Sequence, residues 1–446
     1  MTGYEPMTAL PRELLDHAGM SAAIAAHDFG EVFRLARSEA GISYSKIAAE
    51  CDIKPERVGA LARGLGSVTT FEKIAQIADA LRIPGAALGL APRKWETPDT
   101  PSRELPLPAR ATATATHRDG DEVRRREFIK VSTFTGLAVG MPDLTRPVTG
   151  RRVSKEFPQQ LRERAARLRR LDDVLGGGDT YRVYLGEYQA TKALLRDCTY
   201  AEETGRSLLS VLAEQAQQAG WAAFDGGKHH DATSLYEDSH TAAVDAKDTA
   251  LAGNALAFLA YQAVNGDRAA GIQIASRACD TAGPGAAPGV RALLHERRAW
   301  AYAVAGLPAE TERALGAAES ALDEIGESPQ PDWVAWVDQN ELQIMSGRCW
   351  TELRRPLRAV PTLEAALAKY EDTHARDKSL YLSWLADSYL TAGEVEQSAR
   401  ATSRALDLSA GVASVRPRQR LAPVLRRLSD HRTLPEVADV LEKARA

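Results

Sequence analysis

The sequence predicts an all-α protein: an N-terminal bundle of short helices and a C-terminal array of stacked helix pairs. Three observations carry the prediction. Between Phe29 and Leu90 apolar residues recur at helical spacing in short runs broken by turn signals. From about residue 157 an Ala- and Leu-rich chain keeps that spacing almost unbroken, with Gly and Pro confined to turn positions. Between the two, prolines at 92, 98, 101, 106 and 108 and an Ala-Thr-Ala-Thr-Ala-Thr run mark an extended linker that cannot bury enough to order itself. The expected divisions are an arm (1–26), the bundle (27–92), the linker (93–123), a basic connecting segment (124–156) and the array (157–446).

In the bundle, Phe29 to Ala40 sets Val32, Phe33, Leu35 and Ala36 on one face, and Gly41 stops the helix. Ser43 is placed to cap a second helix, Tyr44 to Cys51, with Ile47 and Ala48 inward. A turn at Asp52 and Ile53 leads to a third, Pro55 to Arg63, with Gly64 beyond its end. The fourth runs from Thr70 through Ile74, Ile77, Ala78 and Leu81. Helices this short need one shared core. A helix pair joined by a tight turn is the plan in which the second helix of the pair enters a DNA major groove.

Leu35, Gly41, Ile42, Ser43, Ile47, Ala48, Ile53, Val58, Leu61, Gly64, Ile74, Ala78 and Leu81 together resemble the Xre, or phage-repressor-like, helix-turn-helix domain over about sixty residues. Three positions depart from its pattern: Tyr44 stands where Gln is usual, Lys54 where Ser or Thr caps the third helix, and Ala62 where Glu is common. If DNA is bound, Lys54, Glu56, Arg57 and Ala60 on the outward face of the third helix meet base edges. Ser43, Tyr44, Lys46 and Arg63 are placed for phosphates. The alternative for this face is a solvated polar surface.

Charge is segregated. From 27 to 92, eight basic residues are matched by eight acidic ones, so the bundle lacks the basic footprint of an unaided DNA binder. From Arg124 to Arg170, thirteen basic residues face four acidic, a net +9. Within it, Arg124 to Gly140 imitates a twin-arginine export tag. Three roles compete: docking of the linker through Phe128, Ile129, Phe134 and Leu137, an auxiliary phosphate contact, and export. Export is the weakest, because a folded domain would precede the signal and Ser, Thr and Gly break its apolar core.

The array carries internal repeats. Leu385, Ala386, Tyr389, Gly393 and Ala405 form the best copy, preceded by Gly347, Trp350, Ala359, Leu363 and Ala366, and by Ala299, Tyr302, Gly306, Leu315 and Ala318. Two fainter copies hold Gly220, Gly227, Ala232 and Tyr236, then Phe258, Gly266, Gly271 and Ala278. These five degenerate copies resemble tetratricopeptide repeats, although Gly227, Gly266 and Gly306 stand 39 and 40 residues apart rather than at that family's usual shorter period. Stacked pairs of this kind form a superhelix with a concave groove. Helices near 157–175, 180–198, 416–429 and 433–445 are expected to cap its ends. Asn254, Tyr261, Tyr302, Gln339, Asn340 and Arg348 are the candidate groove residues, although aromatics such as Trp221, Tyr261, Tyr302, Trp350 and Tyr389 fit packing roles as well.

The residues that are missing also constrain function. No nucleophile elbow or phosphate-cradling Gly loop occurs, and Gly176 to Gly178 reads as a turn after a helix. His229, His230 and His240 lack a supporting ligand at metal spacing, and the four cysteines are scattered. With 44% apolar and 26% charged residues and no apolar run long enough for a membrane span, a globular cytoplasmic protein is expected. No enzyme activity, cofactor, metal or membrane contact is expected. The layout resembles Xre-type regulators with tetratricopeptide-like sensor halves of actinobacterial type. That resemblance implies a homodimeric transcription regulator that binds double-stranded DNA and takes a peptide, small-molecule or protein effector in the repeat groove. The alternative is an interaction adaptor whose head does not bind DNA.

Overall fold

The computed structural model describes residues 6–65, 68, 71–88, 93, 95–96, 152–175, 177–326, 328–410, 412 and 414–445. Among these the protein is all-helical, with twenty α-helices packed in adjacent pairs and no ladder strand. The described residues divide into two compact units, each taken by itself below.

The N-terminal unit holds α1 (Arg12–Leu15), α2 (Ala18–Ala25), α3 (Phe29–Ala40), α4 (Tyr44–Glu50), α5 (Pro55–Ala62) and α6 (Phe71–Leu81). Helix α3 starts where the Asp28 carboxylate accepts from the Glu31 N–H at 2.9 Å and stops at Gly41, whose φ of +67° is the left-handed C-cap. Ser43 caps α4 by accepting from the Lys46 N–H at 3.3 Å. Phe29, Val32 and Phe33 of α3, Ile47 of α4, Val58 and Leu61 of α5 and Ile74, Ile77 and Leu81 of α6 are buried. Helices α4 and α5 end one residue earlier than expected, the ordinary fraying of helix ends.

Two expectations change. Residues 6–26, expected as an arm, pack on the bundle: Thr8 donates to the Ala80 carbonyl at 2.7 Å, Leu10 N–H to the Leu81 carbonyl at 2.9 Å, and Met20 and Ile24 of α2 are buried. Their apolar content is enough to join the bundle. The linker begins bound rather than extended, because Arg93 forks onto Asp79 at 2.8 and 2.6 Å and Trp95 donates to the same carboxylate at 3.1 Å. Arg124 to Gly140, with Phe128, Ile129, Phe134 and Leu137, lies outside the described residues.

The C-terminal unit holds α7 (Phe157–Leu175), α8 (Gly177–Asp197), α9 (Glu202–Asp225), α10 (His229–Ala246), α11 (Thr249–Ala263), α12 (Arg268–Ala282), α13 (Pro288–Val304), α14 (Pro308–Asp323), α15 (Gln339–Glu352), α16 (Pro356–Leu367), α17 (Ala375–Ala392), α18 (Val395–Ser409), α19 (Arg416–Leu428) and α20 (Pro435–Lys443). Gly177 and Gly178 open α8 rather than forming a turn; a helix's first turn leaves its N–H groups outside the ladder, so Gly costs less there than mid-helix. The strongest packing joins α9 to α10, α11 to α12, α13 to α14, α17 to α18 and α8 to α9, followed by α15 to α16. Small residues make the close contacts: Ala299, Ala318, Ala359, Ala366, Ala386 and Ala405 are wholly buried, and a Cβ on Gly347 would meet Leu363 Cγ at 2.4 Å.

Gly227, Gly306 and Gly393 supply the left-handed residue where a pair turns, but Gly266 does not. After α10 that duty falls on exposed Lys247 at φ +59°. A side chain there strains the backbone that Gly would relax. Lys247→Gly is therefore expected to raise stability by about 1 kcal/mol, read from the denaturant midpoint; an unchanged or lowered midpoint contradicts it.

The basic stretch is partly spent inside this unit. On α7, Arg164 pairs with Glu187 of α8, Arg169 with Glu214 of α9 and with Asp332, and Arg170 lies 3.5 Å from Asp332. Arg164 and Glu187 are both almost fully buried, so this pair fixes α7 against α8 rather than facing a polyanion.

Candidate functional site

On the N-terminal unit the candidate surface is the α4–turn–α5 edge. Burial of Val58 and Leu61 turns the rest of α5 outward, so Lys54, Glu56 and Arg57 are exposed and Ala60 is half-buried. Arg63, just past the helix, is exposed but groups with the other unit. At the start of α4, Ser43 and Lys46 are exposed; Ser43 uses its oxygen in the cap and keeps its O–H to donate. Tyr44 is half-buried, with the Arg37 guanidinium 4.6 Å above its ring. An open concavity of about 470 Å³ between the two helices is lined by Ser45, Ala49, Asp52 and Lys54 among others.

The turn is held from behind. Lys73 of α6 donates to the Asp52 carbonyl at 2.5 Å and approaches its carboxylate at 3.2 Å, where Asp52 sits at φ +48°. Acidic charge is engaged away from α5 as well: Asp28 caps α3, Glu31 pairs with Arg34 and Asp79 with Arg93. Arg34 and Arg93 hold the carboxyls of Glu31 and Asp79 below their usual range, against the opposing effect of burial, which in Asp79 is the largest single influence. Cys51 is buried beneath α4, and burial pushes its thiol up to about 12, so it behaves as an inert core residue.

The C-terminal unit has a second candidate, a seam contributed by the first helix of each pair. Trp221 (α9), Tyr261 (α11), Trp300 (α13) and Trp384 (α17) form a ladder with ring centroids 6.3, 6.1 and 5.9 Å apart. Guanidinium groups interleave: Arg416 of α19 lies 4.6 Å from the Trp221 ring, and Arg348 of α15 lies 4.7 Å from Trp300 and 4.2 Å from Trp384. Arg348 donates to the Tyr261 hydroxyl at 2.8 Å and Arg416 at 3.4 Å. Burial alone would push the Tyr261 phenol up, but Arg348, Arg416 and Arg297 outweigh it and bring it down to about 8. The Asp387 carboxylate, on the next turn of α17, accepts from Arg354, Arg420 and Arg427 at 3.0, 2.8 and 2.6 Å.

Two carboxyls lie within the seam. Glu341 of α15 accepts from Tyr370 at 3.3 Å and Tyr381 at 3.0 Å. Glu296 of α13 is wholly buried and neither oxygen has a hydrogen-bond partner, although Arg297 Nη2 stands 3.6 Å away. Burial pushes its carboxyl up to about 8, with Arg297 pulling against that and Glu341 adding to it.

Of the six groove candidates, Tyr261 and Arg348 meet in this seam. Asn254 does not join them. It is buried in a closed network, donating to Gln217 Oε1 at 2.7 Å while Gln217 donates to Ser239 at 3.0 Å and to the Leu251 carbonyl at 2.9 Å. This network joins α9, α10 and α11 and is a packing device. Tyr302 is half-buried, Gln339 is exposed beside Asp323, and Asn340 is half-buried. Sequence reasoning missed Trp221, Glu296, Arg297, Trp300, Trp384 and Arg416 as members of one site. A signal for part of it existed, because Trp221, Tyr261 and Trp300 are spaced 40 and 39 residues apart, the repeat period itself.

Among the described residues no group of three or more His, Cys, Asp and Glu is placed to hold a metal ion, and no helix is long and apolar enough to cross a membrane. No protein-family model, curated protein or solved structure matches the chain.

Proposed function

We propose that the protein is a sequence-specific DNA-binding transcriptional regulator. In this reading α4 and α5 act as a helix-turn-helix, the pairs from α9 to α18 act as a tetratricopeptide-like superhelix, and an effector in the C-terminal unit changes the spacing of two heads in a homodimer. The observation that carries it is the outward row on α5. Glu56 and Arg57 of that helix and Lys54 just before it are exposed while Val58 and Leu61 are buried, and Ser43 and Lys46 at the start of α4 are exposed for phosphate. Arginine on such a face donates a fork to guanine, and Glu56 accepts from cytosine. The effector must favour one arrangement of the heads by about 1–3 kcal/mol, the usual size of an allosteric coupling.

The test is a gel shift and footprint on the DNA upstream of its own gene. Arg57→Ala is expected to cost about 1–3 kcal/mol at the cognate site and relax its sequence preference. Lys46→Ala is expected to weaken binding evenly across sequences and flatten its salt dependence. One observation favours a second reading, an adaptor whose head captures a protein: residues 27–92 carry no net charge. Absence of any DNA complex at low salt removes the regulator and leaves the adaptor.

A further inference from the structure

A buried carboxyl group whose two oxygens have no hydrogen-bond donor is costly unless something supplies one. Glu296 is such a group, and its surroundings show what kind of donor fits. The guanidinium of Arg297, the next residue, lies 5.6 Å from the Tyr261 ring centre and 5.5 Å from the Trp336 ring centre. It thus lies within cation–π reach of two aromatic rings, in the place a planar cation would take, beside a carboxyl it does not hydrogen-bond. Trp336 belongs to the connection between α14 and α15 and is 42% exposed, and the Arg297 side chain beside it is itself 12% exposed. Trp300, four residues on from Glu296 and therefore on the same helix face, has an indole N–H without a partner.

We propose that this site binds a small molecule with a planar guanidinium or amidinium head, and that Arg297 is its displaceable internal occupant. The head stacks against Tyr261 and Trp336 and forks onto both Glu296 oxygens as the carboxyl gives up its proton to solvent, the bidentate geometry that Arg297, tethered by its own backbone, does not reach. Displaced Arg297 swings past Trp336 into water. The inference deepens the regulator reading by naming the class of effector and depends on that reading only for its consequence at DNA.

Calorimetry on the full chain without DNA tests it, using agmatine as a free alkylguanidinium, a blocked arginine peptide, and n-butylamine as an ammonium control. One saturable site for a guanidinium probe is expected, at least tenfold weaker in Glu296→Gln, several-fold weaker in Trp336→Ala, and tighter in Arg297→Ala because the competitor is gone. The free and peptide-borne probes show which source of the head the site admits. The proposal is overturned by no saturable binding of either guanidinium probe to parent and Arg297→Ala, by equal affinity in Glu296→Gln, by weaker binding in Arg297→Ala, or by n-butylamine binding as well as agmatine. Trp336→Ala alters an exposed side chain, so it keeps the test open should a Glu296 variant fold poorly. Binding without any gel shift removes the regulator reading and leaves the site standing.

Discussion

At about pH 8.5 the Glu296→Met variant is expected to be more stable than the parent by on the order of 3 kcal/mol, and the gap narrows steadily toward pH 5. Glu296 is wholly buried with no hydrogen-bond partner on either oxygen, and burial raises its carboxyl to about 8. A carboxyl raised in the folded state binds its proton there while the unfolded chain has already released it. Stability from this group is therefore complete below the unfolded value near 4.5 and is lost as pH rises through about 8. Methionine has similar volume, carries no charge and leaves no acceptor unpaired, so its profile lacks that slope. His295, one residue earlier, works in the opposite sense: burial, aided by Arg298 and Arg291, lowers it to about 4, so its contribution is lost as pH falls through that value. Subtracting the variant's profile from the parent's removes His295 and isolates Glu296. Chemical denaturation from pH 5 to 9 reads the difference, and parallel profiles for the two proteins would sink the claim.

How far the sequence speaks depends on which part of the fold is asked about. Helix placement was legible because local chemistry dictates it: Asp28, Gly41 and Ser43 act at the ends of α3 and α4 as their residue types require. The outward row on α5 was legible for the same reason, since fixing Val58 and Leu61 inward leaves the other faces to solvent. The Gln217–Asn254 network and the Glu296 seam were not. Each is made by residues tens of positions apart, and a polar residue in an apolar helix looks the same in sequence whether it faces a groove, as expected for Asn254, or a buried partner, as found. Likewise the charge excess around Arg164 and Arg169 says nothing of its destination until α8 and α9 bring Glu187 and Glu214 alongside.

Gly30→Ala is expected to cost on the order of 3 kcal/mol or more, confined to the N-terminal unit. Nothing in the sequence marks Gly30, the second residue of α3. In the fold, a Cβ there would stand 2.1 Å from the Leu61 carbonyl oxygen and 2.9 Å from its carbon, because α3 and α5 touch backbone to backbone. The kind of obstacle decides the outcome. At Gly347 the nearest atoms belong to the Leu363 side chain, which can rotate; at Gly30 they belong to the α5 main chain, which moves only if the whole helix moves. Phe29, Val32 and Phe33 on one side and Val58 and Leu61 on the other resist that shift, since their common core is close-packed. Gly316→Ala makes the contrast: no atom lies within 4 Å of the added Cβ, and the same methyl mid-helix in α14 is expected to stabilise by about 1 kcal/mol. Hydrogen exchange on the full chain separates the cases, with amides of α3 to α5 losing protection in Gly30→Ala while those of α9 onward keep theirs. Unchanged protection in α3 to α5 would mean that the close approach is not needed for the bundle. If α5 reads DNA, the same variant loses its operator although no DNA-facing side chain has been touched.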